Sequence, residues 1–262
     1  MQTRLMADEQ LLSKYIETIA QWIIESNHIV TFTGAGISTD SGIPDFRGPD
    51  GVWTRRDAGL PPPTWRVSQG QIRPNPSHLA LVELQRIGKL QFLITQNTDN
   101  LHRESGIDPE ILAELHGNGK LVRCLGCDRQ YTRKEVGWDP NRFGPGYRTQ
   151  KPVAGQPNCP NCSGRLISSV VNFEDPMPEK ELNTASRHAQ ICDLMIVLGS
   201  SLMVNPAASL VGVAIEEGAR VVLINQGKTP YDDFVNLRIT SGIGNVLPPA
   251  VELVKLSYQR DL

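Results

Sequence analysis

Residues 194–198 read Leu-Met-Ile-Val-Leu, five apolar side chains in a row with no polar face. A strand of that kind suits a sheet covered by helices on both sides, which is the setting of parallel sheets. Similar short runs recur, and they predict strands at residues 28–33, 91–95, 121–123, 168–173, 194–198 and 221–225. Helical patterns fall between them. Asn75-Pro76 offers a cap and a first-turn proline for a helix running through Leu84. Asn205-Pro206 offers the same for a helix to Glu217, with Gly218 as its stop. Leu11, Leu12, Tyr15, Ile16, Ile19, Ile23 and Ile24 recur at helical spacing, and a last helix is expected over about 248–256. Strands alternating with helices predict an α/β fold with a doubly wound, Rossmann-like parallel sheet.

Two stretches break the rhythm. Residues 44–75 hold six prolines, which predicts a long irregular loop, and such loops in compact domains are usually functional or disordered. Residues 124–162 hold two cysteine pairs around a Gly/Pro-rich middle too poor in apolar residues to bury a core alone. The length, 262 residues, fits one large domain carrying a small insert. The expected division is a single catalytic domain over 1–262, with a large lobe from about 8–43, 76–120 and 166–258, a flexible loop at about 44–75 and a metal module at about 121–165.

The net charge of −2 supplies no basic field for direct nucleic-acid binding and no basic helix for a membrane surface. Charges break up the N-terminal segment, so no signal peptide is expected, and no apolar run approaches the roughly 18 residues of a membrane span. A cytoplasmic location is expected.

In a reducing compartment, Cys124-x-x-Cys127 and Cys159-x-x-Cys162 favour metal over disulfide. Two such turns present four thiolates to one tetrahedral Zn2+. Four thiolates leave no open position, so this zinc would be structural. Cys192 stands apart from the quartet.

Four further clusters lie at predicted strand ends, where open α/β sheets bind ligands. The first is Thr33-Gly34-Ala35-Gly36, a glycine turn of the phosphate-binding kind, although Thr39 stands where the third glycine of G-x-G-x-x-G belongs. The second is Gln96-Asn97-Thr98-Asp99, which lacks the ribose-holding acid of a dehydrogenase at the strand end and equally suits a local Asn/Asp turn. Gly199-Ser200-Ser201 and Ile224-Asn225 complete the set. Among five histidines, His116 stands at the junction with the cysteine module, where ligand sites tend to form, and His102 is its rival inside a short predicted helix.

Taken together, GAGIS-x-x-SGIPDFR, QN-x-D-x-LH, HGN, the two C-x-x-C pairs, GSS-x-x-x-NP and IN, in this order, resemble the sirtuins, NAD-dependent protein lysine deacylases. The resemblance runs from about residue 12 to 256. FRGPDGVW and NFEDPMP look most like the branch that carries FRGP-x-GVW loops.

The resemblance implies NAD as cofactor and one structural Zn2+ per chain. Gly34, Ala35 and Gly36 would line the pyrophosphate and nicotinamide region, and Asp45, Phe46 and Arg47 would belong to a mobile cofactor loop. Ile43, Asn97 and Asp99 would form the nicotinamide pocket, with Gln96 near its ribose. Gly199, Ser200 and Ser201 would meet phosphate or ribose, Asn225 the adenine ribose, and Ile243 the adenine. His116 would be the general base, with Asn97 and Asp99 beside it in catalysis. An acyl-lysine protein or peptide would add as a strand along Val171, Asn172 and Phe173 and along Met203, Val204 and Asn205. The products would be nicotinamide, free lysine and 2′-O-acyl-ADP-ribose.

Some residues depart from the family pattern. Thr98 and Asn100 stand where Val or Ile and Gly are common, and Phe173-Glu174-Asp175 replaces Phe-Gly-Glu. These bear on nicotinamide affinity, rate and acyl preference. Protein mono-ADP-ribosyl transfer is the neighbouring reading, and a non-catalytic NAD- or acyl-peptide-binding module is a remoter one.

Overall fold

The computed structural model describes residues 2–65 and 67–260. Nine strands run β1 Ile29–Thr33, β2 Leu90–Thr95, β3 Leu112–Glu114, β4 Leu121–Cys124, β5 Gln130–Thr132, β6 Leu166–Ser168, β7 Leu194–Leu198, β8 Arg220–Ile224 and β9 Leu237–Ile239. The α-helices are α1 Gln2–Glu25, α2 Val52–Asp57, α3 Pro76–Arg86, α4 Leu101–Ser105, α5 Pro140–Phe143, α6 Glu179–Ile191, α7 Ser209–Glu216 and α8 Leu247–Arg260.

Six strands form one sheet in the order β3-β2-β1-β7-β8-β9, and every neighbouring pair is parallel. Alternate residues of a strand face opposite sides, and β7 divides accordingly. Leu194, Ile196 and Leu198 join Ile19 and Ile23 of α1, Leu81 and Leu84 of α3, and Val251 and Val254 of α8. Met195 and Val197 join Ala185 and Ala189 of α6 and Val211 and Ala214 of α7. This two-sided burial explains why the run has no polar member. It is the doubly wound architecture that the alternation of strands and helices predicts.

From β1 the chain winds outward through β2 and β3 and then returns to build β7, β8 and β9 on the other side of β1. The order therefore reverses between β1 and β7, and a crevice opens beyond their carboxyl ends. Asn75 braces its floor. Its side chain caps α3 and also donates to Ile37 O at 2.7 Å and Ser41 Oγ at 3.0 Å, inside the 3-10 helix Ala35–Ser41.

The cysteine module is a three-stranded antiparallel sheet in the order β5-β4-β6. Its small core combines Val122, Trp138, Phe143 and Leu166 with Cys124 and Cys159.

Several sequence-based boundaries change. The strand expected at 168–173 is Leu166–Ser168, because pairing with β4 ends there. Val171 instead donates its N–H to His116 O at 2.9 Å. Accordingly, neither 171–173 nor 203–205 forms a strand. The helix expected from Asn205-Pro206 begins at Ser209, after a turn closed by Ala208 N–H to Val204 O at 3.0 Å. Residues 44–75 are not wholly irregular, since α2 and a 3-10 turn at Gln69–Gln71 lie inside them.

Candidate active site

The crevice is a cavity of about 1130 Å³. That exceeds the roughly 300–1,000 Å³ of a usual small-ligand pocket. Every residue named from sequence for the cofactor, the base and the peptide lines it, from Gly34 to Ile243. The quartet of cysteines lies elsewhere, in the small module.

The glycines of the first turn line the cavity, and their small size also serves a packing contact. A Cβ at Gly34 would lie 2.8 Å from Gly199 O, and one at Gly36 would lie 2.6 Å from Gly199 Cα. Their small size lets the turns after β1 and β7 pass in direct contact, fastened by Gly34 N–H to Leu198 O at 3.0 Å and Gly36 N–H to Gly199 O at 2.8 Å. Gly34, Gly36 and Gly199 still form cavity wall. The element that follows Gly34 is a 3-10 helix rather than an α-helix.

Beyond β2, Asn97 is buried and donates from Nδ2 to Gly34 O at 3.1 Å and to Ser38 Oγ at 3.3 Å. Ser38 Oγ donates to Asp99 Oδ2 at 2.7 Å, and Asp99 Oδ1 accepts from Leu101 N–H at 2.9 Å. Burial raises the carboxyl of Asp99 above its ordinary pKa, with the hydrogen bonds from Ser38 and Leu101 working against it. Asp99 is thus part of the cavity wall and also caps the first N–H of α4 from the position before its N-cap, Asn100. Ser38, the serine of the GAGIS motif, belongs to this cluster, although the motif alone does not name its partners.

Gln96 accepts from Ser200 Oγ at 3.0 Å through Oε1, while its buried Nε2 has no partner among the described residues. Ser200 lies in the cavity wall, largely buried, and its hydroxyl also accepts from Leu202 N–H at 3.2 Å.

His116 follows β3. Its Nδ1 is 3.1 Å from Gln96 O, and burial lowers its pKa, with that hydrogen bond acting the other way. The turn needs Gly117, which has φ 73° and whose Cβ would overlap Ser169 O. Glu114 pins the same turn from below. It is buried, pairs with Arg103 at 2.8 Å and accepts from Asn118 Nδ2 at 2.6 Å. His102 is not in the cavity. It is buried beside His78, with Nε2 2.8 Å from Thr33 Oγ1, which is a structural placement.

On the far wall, Arg47 lies over the Trp53 ring at 4.4 Å and Phe46 packs against it at 4.9 Å. Trp53 in turn is 6.4 Å from Phe173, a residue 78% exposed at the mouth. Asn225 Nδ2 donates to Gly227 O at 2.9 Å. Two of the unusual residues sit at positive φ, Asn100 at 72° and Glu174 at 73°. Asn tolerates that conformation, whereas Glu is strained in it by about 1–2 kcal/mol.

In the module, Cys124 Sγ and Cys162 Sγ are 3.4 Å apart, Cys127 Sγ and Cys159 Sγ are 3.6 Å apart, and all four lie within 4.8 Å of one another. These separations are far longer than a disulfide's roughly 2.05 Å. They fit the edges, about 3.8 Å, of a tetrahedron around one zinc ion with Zn–S near 2.3 Å.

The Sir2 family model matches residues 34–61 and 63–206 of this sequence. The chain belongs to the Sir2 family. It is 39% identical over 265 residues to NAD-dependent protein deacetylase 1 of Bradyrhizobium diazoefficiens, covering 95% of this Sir2-family chain and 99% of that protein. It is 38% identical over 247 residues to NAD-dependent protein deacetylase SRT1 of Oryza sativa subsp. indica, covering 94% of this chain and 50% of that one. The chain therefore spans half the length of the plant relative and nearly all of the bacterial one. Among solved structures, a chain described under the structural basis for the mechanism and regulation of Sir2 enzymes superposes with a TM-score of 0.70 at 35% identity, over 93% of this chain and 99% of that one. Sir2 with a p53 peptide and NAD+ superposes with a TM-score of 0.64 at 31% identity, over 92% and 96%. No helix among the described residues is long and apolar enough to cross a membrane.

Proposed function

We propose that this Sir2-family chain is an NAD-dependent protein lysine deacylase, a deacetylase in the first instance, that releases nicotinamide, deacylated lysine and 2′-O-acyl-ADP-ribose. One observation carries the reading. His116, whose Nδ1 is engaged by Gln96 O, shares one cavity of about 1130 Å³ with the Asn97–Ser38–Asp99 cluster.

Bound NAD supplies the electrophilic ribose carbon and the departing nicotinamide. Asn97 and Asp99, with Ile43, hold the carboxamide end. Gln96, in the cavity wall, lies by the nearby ribose. His116 Nε2 takes a proton from a ribose hydroxyl, a role suited to an imidazole that is neutral near working pH. Phe46, beside Trp53, covers the reacting face against water. Gly199, Ser200, Ser201 and Asn225 serve the remaining half of the dinucleotide, with Ile243 at its base. The acyl-lysine peptide crosses between Val171–Asn172–Phe173 and Met203–Val204–Asn205, segments with no strand partner of their own, so it can add by backbone pairing. The chain works as one catalytic unit, with the loop at 44–75 closing on NAD and the module at 121–165 held by structural zinc. Thiols kept for metal accord with a cytoplasmic setting.

Mass spectrometry of products from NAD and a panel of acyl-lysine peptides tests this. The expected result is 2′-O-acyl-ADP-ribose in equal amount to deacylated peptide. ADP-ribosylated protein without deacylated peptide would overturn it.

A further inference from the structure

The segment after β8, residues 225–228, forms cavity wall at Asn225, Gln226, Gly227 and Lys228, yet it belongs to no helix or strand. A loop that must present a ligand surface needs something to hold its shape, and here one side chain does so. Arg238, on β9, stands behind the loop and outside the cavity wall. Its Nη1 donates to Asn225 O at 2.6 Å and Ile239 O at 2.7 Å, and its Nη2 donates to Gly227 O at 2.6 Å. Its Nε donates to Asp232 Oδ1 at 2.9 Å. Four of the five guanidinium donors are therefore committed. Asp232 Oδ1 also accepts from Thr229 Oγ1 at 2.7 Å, which ties the far end of the same loop to the same point. Lysine, with three donors on a single nitrogen, cannot span these planar, diverging acceptors.

The sheet order says which part of a ligand this loop can serve. β2, which delivers Asn97 and Asp99, is separated from β8 by β1 and β7. Three strand spacings at about 4.8 Å put the two sites on the order of 14 Å apart. A ligand that touches both must be long, and a group near 225–227 lies away from the bond that breaks at 97–116.

We infer that Arg238 is a positioning residue for the cofactor: it shapes residues 225–227 into the surface that binds the half of the dinucleotide remote from nicotinamide. The inference rests on the proposed use of NAD. It assigns Arg238 to ground-state binding and not to chemistry, so its loss alters nucleotide affinity while leaving the reacting end intact.

The test uses full-length, zinc-loaded protein. ADP-ribose binding is measured by calorimetry, and initial rates are measured against NAD and against acetyl-lysine peptide. Arg238→Lys keeps the positive charge, so any loss reflects the fork and not attraction to phosphate. The expected result is ADP-ribose affinity at least tenfold weaker and a matching rise in the KM for NAD. The kcat at saturating NAD and the KM for peptide should stay within twofold of the parent. Asp232→Asn leaves the three carbonyl contacts in place, and it provides a milder variant should Arg238→Lys fold poorly, with a rise of about two- to fivefold in the KM for NAD expected. A folded Arg238→Lys with parental ADP-ribose affinity, or with a lowered kcat at unchanged KM, overturns the inference alone. A parent protein that does not bind ADP-ribose overturns the functional reading as well.

Discussion

His116 Nδ1 lies 3.1 Å from the main-chain oxygen of Gln96. A carbonyl can only accept, so Nδ1 carries the proton, and in the neutral ring Nε2 keeps its lone pair. Burial lowers the pKa of this ring below the ordinary 6.5. A base works in its neutral form, so the acid limb of the pH–rate profile for deacylation should have its midpoint below 6.5. A midpoint at or above 6.5 would show that another group limits the rate. His116→Ala and His116→Tyr should lower deacylation by about 10²–10⁴-fold. Both should keep ADP-ribose binding and some exchange of labelled nicotinamide into NAD.

Asp99 is expected to act earlier. Asp99→Asn still offers Oδ1 to Leu101 N–H, so the cap of α4 survives and the change in stability should stay within about 1 kcal/mol. The other atom becomes an NH2 facing Ser38 Oγ and the cavity, and the pure acceptor is lost. Nicotinamide exchange and deacylation should fall together, and inhibition by added nicotinamide should weaken. Normal exchange in a folded Asp99→Asn protein would reduce Asp99 to a cap.

Much of this architecture was legible before any coordinates. β7 and β8 announce themselves because burial on both faces demands uninterrupted apolar residues, and the cysteine quartet does so because metal ligation needs fixed spacing. The strands β3, β5 and β9 escape because three residues carry no periodicity. The helix α6 escapes for another reason. It meets the sheet through Ala185 and Ala189, so its apolar stripe is narrow and small. In the site, Asn97, Asp99 and His116 could be named from motif order. Ser38 lies in the GAGIS motif, but its contact with Asp99, 61 residues away, emerges only in the fold, and Arg238 carries no motif because its contacts are mainly backbone carbonyls. Gly34 and Gly36 have a second reason to be glycine that local pattern does not show, the close passage of Gly199, which is distant in sequence.

The small module should depend on its metal. Cys124 and Cys159 are core residues alongside Trp138 and Leu166, so thiolates without zinc would be buried like charges. Purified protein should contain one zinc per chain by elemental analysis. Chelation, or Cys127→Ala, should expose Trp138 and red-shift its fluorescence while the far-ultraviolet signal of the parallel domain persists. Metal-free protein with Trp138 still buried would remove the structural role from zinc.

His78 and His102 make the last prediction, which concerns stability in acid. Their rings are 5.1 Å apart and both are buried. Desolvation lowers His78 to about 4 and holds His102 well below 6.5, the neighbouring ring adding to the effect at His102. In the unfolded chain both return to about 6.5 and bind protons first. The unfolded state therefore holds more protons between about 4 and 6.5, and stability must fall as pH falls through that window. Above 6.5 the contribution is fully present, and each histidine adds at most about 1.4 kcal/mol per pH unit to the slope. His78 Nδ1 accepts from Asn75 N–H at 3.3 Å as the third residue of a capping box, a place where glutamine serves equally well and does not titrate. Urea unfolding of zinc-loaded protein at pH 7.5, 6.5 and 5.5 should give a smaller loss of stability in His78→Gln than in the parent, whatever the offset at pH 7.5. Equal slopes would mean that the buried pair does not set the acid limit of this fold.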